Sequence, residues 1–349
     1  VDAGGTVYFA EELAGQTITL SGTEITLNKN VTIDGGELNI TIDADDQSWI
    51  FYVDEDCEVT LNSLTLTGGY SGDYDFDYES GIYNDGGAIY NRGSLTVTNM
   101  LFTENTRVRN GGAIYNQGAL TVIDSTFTEN TADSGGAIGN YGTLTVTNST
   151  FTGNAGGAIF SAGTCTITNS TFTENESYWG GAICCCALTL TNSTFIGNSA
   201  VELGGAITFM SDASTVTDST FIGNSAVGYG GAIANIEGVC AVTNSTFTGN
   251  SADIGGATYS MGTLMLIDTT LTGNSASSIG TIYNDAGAFT LANSIVTGNS
   301  GQNIYCQSYE GAEAAAFYSY YSIIGDESLD LAQNVGSQFS VAPEDVFQY

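Results

Sequence analysis

Apolar and polar residues alternate along most of this chain, and short turns cut the alternation at regular intervals. In GALTVIDSTFTEN, residues 118–130, Leu120, Val122 and Phe127 fall on one side while Thr121, Thr126 and Thr128 fall on the other. That two-residue period predicts half-buried strands. About three such strands belong to each unit, reading AIYN, LTVTN and STFTGN, with Gly, Asn, Asp and Ser between them as turn formers. No stretch keeps a useful three-to-four-residue period, which excludes leucine-rich, ankyrin and other helical solenoids.

The units copy one another. The second glycine of a GGA triplet falls at Gly87, Gly112, Gly136, Gly157, Gly181, Gly205, Gly231 and Gly256, with a degenerate copy at Gly280. A second marker, the asparagine that closes FTEN, FTGN or FIGN, falls at Asn105, Asn130, Asn154, Asn175, Asn198, Asn224 and Asn250, then at Asn274 and Asn299. Two markers in step at about 24 residues predict an all-β parallel β-helix of about 12 coils. One coil can neither bury its apolar face nor satisfy its strand amides, and a neighbour stacked about 4.8 Å away does both. Each position then becomes a ladder. Phe102, Phe127, Phe151, Phe172, Phe195, Phe221 and Phe247, relaxing to Leu271 and Ile295, predict an aromatic stack in the core. The asparagines predict a turn whose side-chain amides bond between coils and whose backbone is left-handed. The paired glycines predict positive φ and close backbone approach.

Departures from the pattern divide the chain without breaking its continuity as one domain. Residues 1–69 read as an N-terminal cap and first irregular coils, 70–85 as an acidic and aromatic insertion, 86–305 as regular repeats, and 306–349 as a last coil and cap. In the insertion, Asp73, Asp75 and Asp77 alternate with Tyr74 and Phe76. The spacing lacks the glycine and terminal glutamate of an EF-hand loop, so a solvated loop, a calcium site and a partner or glycan contact all stay open. Cys165 and Cys240 stand where other repeats carry leucine and read as core residues. The triplet Cys184, Cys185 and Cys186 reads as packed or free thiols, a disulfide within or between chains, or a metal site, the last disfavoured by the absence of histidine.

Charge narrows the partners. The 38 acidic and 4 basic residues give a net charge of -34, which excludes nucleic acid and an anionic membrane surface as partners. No apolar run is long enough to span a bilayer, so direct membrane insertion is not expected, and the start at Val1 reads as a leader already removed. No cofactor is expected apart from the calcium option.

The alternation of GGAI with FxxN over residues 86–299 resembles the repeats of chlamydial polymorphic outer membrane proteins and of secreted bacterial right-handed β-helix proteins that carry them. The resemblance implies a right-handed solenoid, surface exposure and adhesion. It does not extend to an outer-membrane barrel after the repeats.

Three functions compete on these grounds. A uronate lyase needs cations, and none follows residue 109; a glycosidase needs two carboxylates, for which Glu104 and Glu129 on adjacent coils are near enough but lack pocket loops. An ice-binding face would use the threonine pairs Thr96/Thr98, Thr145/Thr147, Thr166/Thr168, Thr189/Thr191 and Thr215/Thr217, although Ile123, Ala241 and Met265 interrupt them. The expected function is a non-catalytic, secreted or cell-surface structural or adhesive protein. Its expected partners are further copies stacked end to end, a host or neighbour-cell surface, or a glycan.

Overall fold

The computed structural model describes residues 4–70, 76–77, 82–83, 85–107, 109–307, 317–325, 330–331 and 338–339. The chain is all-β, a right-handed parallel β-helix of about 12 coils. It divides into two compact units, Val1–Glu176 and Ser177–Tyr349.

In the first unit the regular coils contribute three strands each, and in one of them the first two run together as Ile159–Thr168. The strand following the glycine pair forms one column, through Phe51–Val53, Ile89–Asn91, Ile114–Asn116 and Ile138–Asn140. A central column runs through Glu58–Asn62, Ser94–Thr98, Ala119–Ile123 and Thr143–Thr147. A phenylalanine column runs through Leu101–Thr103, Thr126–Thr128, Thr150–Thr152 and Thr171–Thr173. All pair in parallel, with Phe102, Phe127, Phe151 and Phe172 in one register. Stacking starts early: Gly5–Tyr8 pairs directly with Val31–Asp34. Within the insertion, Phe76–Asp77 pairs antiparallel with Ile82–Tyr83. The proposed calcium ligands Asp73 and Asp75, and the side chain of Asp77, lie outside the described residues.

The second unit repeats the three columns and adds a fourth, Ser199–Leu203, Ser225–Ala226, Ser251–Ile254 and Ser275–Ile279. These segments are short and mostly small or polar. Only their second residue, Ala200, Ala226 and Ala252, is buried.

The core is built as ladders. Phe102 and Phe127 stack at 4.6 Å and 4°, Phe127 and Phe151 at 4.8 Å and 6°, and Phe221 and Phe247 at 4.6 Å and 6°. Each ring is fully buried, a contribution of about 2–3 kcal/mol apiece. Further along, the register pairs Leu271 with Val296, while Ile295 pairs with Thr270 and is 40% exposed. The inward residue of this coil is therefore Val296 and not Ile295, because a slip of one position turns a strand residue to the other face.

The closing asparagines are internal. Asn130 donates its Nδ2–H to Asn154 Oδ1 at 3.0 Å and to the Phe102 carbonyl at 3.0 Å, and its backbone N–H reaches the same Asn154 oxygen at 3.1 Å. The expected left-handed backbone lies elsewhere. It falls on the residue before each, Glu104 and Glu129 at φ 55° and 56°, and on the Asn or Asp before each Ser-Thr pair, such as Asp124 at 48° and Asn148 at 53°. A second buried ladder was not anticipated: Asn91 donates to Asn116 at 2.6 Å, and Asn116 to Asn140 at 2.7 Å.

The two glycines of a pair serve different needs. Gly111 has φ +71°, whereas Gly112 lies so close to the next coil that a Cβ would meet the Gly136 carbonyl oxygen at 2.1 Å. Positive φ therefore belongs mainly to the first glycine, and crowding to the second.

Candidate functional site

Alternation along the glycine-pair strand sends Ile89 and Asn91 inward and Tyr90 outward, and the same holds for Ile114, Tyr115 and Asn116. Successive coils therefore line up outward aromatic rings on the first unit. Tyr52 lies 5.5 Å from Tyr90, Tyr90 lies 5.1 Å from Tyr115, and Tyr115 lies 5.3 Å from Tyr141. Trp49 packs on Tyr90 at 5.3 Å, and Phe160 on Tyr141 at 5.8 Å. The coil of Tyr141 has Gly139 at the usual tyrosine position, and the ring comes instead from two residues later. Tyr90 and Tyr115 are buried, whereas Tyr141 is 42% exposed. Burial pushes the Tyr115 phenol up to about 12, and that of Tyr90 higher still.

Three of the four basic residues of the chain gather at this column. Arg92 donates to the Tyr52 hydroxyl at 3.1 Å and pairs with Glu55 at 2.8 Å. Arg107, itself buried, and Arg109 act on Asp85, which stands just before the glycine pair of the Tyr90 coil. Asp85 is 2% exposed, and Asn110 Nδ2–H donates to it at 3.4 Å. Burial raises its carboxyl above the ordinary aspartate range; the two arginines and Asn110 pull the other way without cancelling the rise. A desolvated acid beside fixed cations is an arrangement that proton-transfer sites use and that structural ion-pair networks share.

The second unit carries a related column, in which Tyr229, Tyr259, Tyr283 and Tyr305 stack at 4.9, 5.6 and 5.1 Å. Asp285 accepts the Tyr259 hydroxyl at 3.1 Å. No basic residue lies in this unit's sequence, so nothing there plays the part of Arg107 and Arg109.

The residues singled out from the sequence are mostly placed apart from this site. The phenylalanines and asparagines are buried inside the coils, and the glycines shape the turns. Glu104 and Glu129 are exposed at equivalent turns after the phenylalanine strand. Cys165 takes the register of Leu144, as expected of a core residue. All seven cysteines are unbridged; Cys184 and Cys185 are buried and Cys186 is half-buried. Among the described residues no group of three His, Cys, Asp or Glu side chains is placed to hold a metal ion. The threonine pairs stand in register, Thr96/Thr98 beside Thr121/Ile123, with isoleucine interrupting the array. Sequence reading missed Asp85 and the arginines. The available signal was that a chain so poor in cations spends three of them within residues 92–109.

Comparison with known proteins follows the same lines. Residues 80–252 match the model of the right-handed beta helix region, and residues 244–261 match the Chlamydia polymorphic membrane protein repeat. The chain has the right-handed β-helix fold. No curated protein sequence matches it. Among solved structures it is similar to the catalytic unit of the thermostable GH87 alpha-1,3-glucanase from Streptomyces thermodiastaticus strain HF3-3. The TM-score is 0.57 and the identity 16%, over 96% of this chain and 65% of that one. No helix among the described residues is long and apolar enough to cross a membrane.

The likeness to a catalytic unit overturns the expectation that this chain is not an enzyme. That expectation rested on short turns and on the lack of cations after residue 109. A β-helix that aligns with this chain over 96% of its length is part of a glucanase, and two of the four cations, Arg107 and Arg109, act on one buried acid.

Proposed function

We propose that this chain is an extracellular carbohydrate-active β-helix protein that binds and cleaves a glycan at the tyrosine column of its first unit. The observation that carries this reading is Asp85, a buried carboxyl with a raised pKa, set where aromatic rings meet Arg107 and Arg109. Glycoside hydrolysis needs a carboxylic acid that keeps its proton long enough to give it to the leaving oxygen, and a second carboxylate for the other face of the sugar. Asp85 takes the first role. For the second, the reading takes Glu55, tied to the same column through Arg92 and Tyr52. Tyr141, the exposed ring, supplies an apolar face with a polar rim. The extracellular setting rests on the polymorphic membrane protein repeat.

Neutral polysaccharides, alpha-1,3-glucan among them, are to be incubated with the protein while new reducing ends are followed. Release that Asp85→Asn abolishes, with glycan binding retained, supports the reading. Neither release nor retention on any polysaccharide overturns it.

End-to-end association is a second reading, favoured by one observation. Val7, Phe9, Ile18, Ile25, Leu27 and Phe51 line an apolar cavity of about 450 Å³ in the first coils. Sedimentation at rising concentration tests it, and a mass that stays monomeric rules it out.

A further inference from the structure

A second surface, on the other unit, has the chemistry of a sugar platform. Tyr178 and Trp179 are 58% and 41% exposed and adjacent in sequence. They stand edge to face, 5.6 Å apart at 61°. One carboxylate fixes both: Trp179 Nε1–H donates to Glu202 Oε2 at 2.9 Å, and the Tyr178 hydroxyl bonds the same Glu202. Glu202 belongs to the strand Ser199–Leu203, whose exposed Val201 is 56% accessible. Two large rings held in place cost little entropy on binding, because their rotamers are already restricted.

We propose that Tyr178, Trp179 and Glu202 form a binding subsite for an uncharged hexopyranose chain, separate from the site that holds Asp85. The chemistry selects this occupant. A pyranose offers an apolar C–H face to an exposed ring and a rim of hydroxyls, and Glu202 keeps lone pairs free beyond the two donors it holds. A wholly apolar partner would leave that carboxylate desolvated without compensation. An acidic partner, such as a uronate chain, would meet a protein of net charge -34 with no basic residue in this unit. The subsite deepens the carbohydrate reading, yet it stands on its own residues.

The chain has two tryptophans, Trp49 and Trp179, so Trp49→Phe leaves Trp179 as the sole indole reporter. Titration of that variant with neutral gluco-oligosaccharides is expected to shift and quench its emission saturably, while an oligouronate leaves it unchanged. In parallel, affinity electrophoresis of the unmodified protein and of Trp179→Ala needs no Trp49 variant; Trp179→Ala is expected to weaken retention by neutral glycan about tenfold. Emission that no neutral glycan moves, or retention equal in Trp179→Ala, overturns the subsite. The two proposals separate cleanly. Reducing-end release with a silent Trp179 sinks the subsite alone, and a responsive Trp179 without release or Asp85 dependence sinks the cleavage reading alone.

Discussion

The Oδ1 of Asn154 accepts two hydrogen bonds from Asn130 in the preceding coil, one from the side-chain amide at 3.0 Å and one from the backbone at 3.1 Å. One buried oxygen thus closes the turn of one coil and ties it to the next.

Asn130→Ala should therefore be costly. It removes the donor to the Phe102 carbonyl and leaves buried polar groups unpaired in both directions, a loss of about 3–5 kcal/mol. Asn148→Gly, at an exposed left-handed position, should fall within about 0.5 kcal/mol of the parent. Urea denaturation of both variants checks the contrast; equal losses would mean that the ladder contributes no more than an ordinary turn.

The glycines separate crowding from dihedral preference. Gly112→Ala drives a methyl onto a backbone oxygen 2.1 Å away and should prevent folding or lower stability by more than about 3 kcal/mol. Gly153→Ala, at φ +62° with its nearest neighbour 3.9 Å away, should cost about 1–2 kcal/mol, the left-handed penalty alone. Soluble yield and melting temperature report the order of the two.

Asp85 ties stability to pH. Its folded pKa lies above the ordinary value of 3.8, so the folded chain holds the proton more tightly than the unfolded one. The stabilising contribution is complete below that ordinary value and is lost as pH rises through the raised one. Asp85→Asn should melt higher than the parent at neutral pH, with the difference closing as the solution is acidified. A difference independent of pH would show that the carboxyl is not perturbed. If Asp85 is the proton donor, glycan release in the parent should also fall on the alkaline side.

Thiol reactivity should follow burial. Cys165 and Cys240 are buried, and burial pushes their thiols up to about 12, so a thiol reagent should reach them only on unfolding. Cys186, half-buried, should be labelled first in the native protein, as peptide mapping after brief alkylation would report.

The fold was legible because a solenoid writes its contacts as a period. Phe127 and Phe151 touch across 24 residues, and any reader who aligns the repeats sees the pair. The site was not legible for the opposite reason. Tyr52 and Tyr90 are neighbours in space but 38 residues apart, since the insertion breaks the period between them. Arg92 reaches Tyr52 across the same gap. Asp85 looked like one more acid among 38, and only its burial and its interaction with Arg107 and Arg109 distinguish it. The left-handed asparagines were misplaced because the pattern reports which positions recur, not which dihedral each adopts. Both the FxxN and the NST asparagines recur; one is packed inside and the other bends the chain.

The asparagine ladder also has a direction. In the first unit Asn105 donates to Asn130, Asn130 to Asn154 and Asn154 to Asn175; in the second, Asn198 donates to Asn224, Asn224 to Asn250 and Asn250 to Asn274. No amide in either series is reversed, so their dipoles add head to tail and each bond polarises the next. The column within each unit is thus electrically polar along its axis. A coil joined ahead of it has to offer a donor and a coil joined behind it an acceptor, which gives a repeat with no charged side chain in its ladder a built-in sense of order.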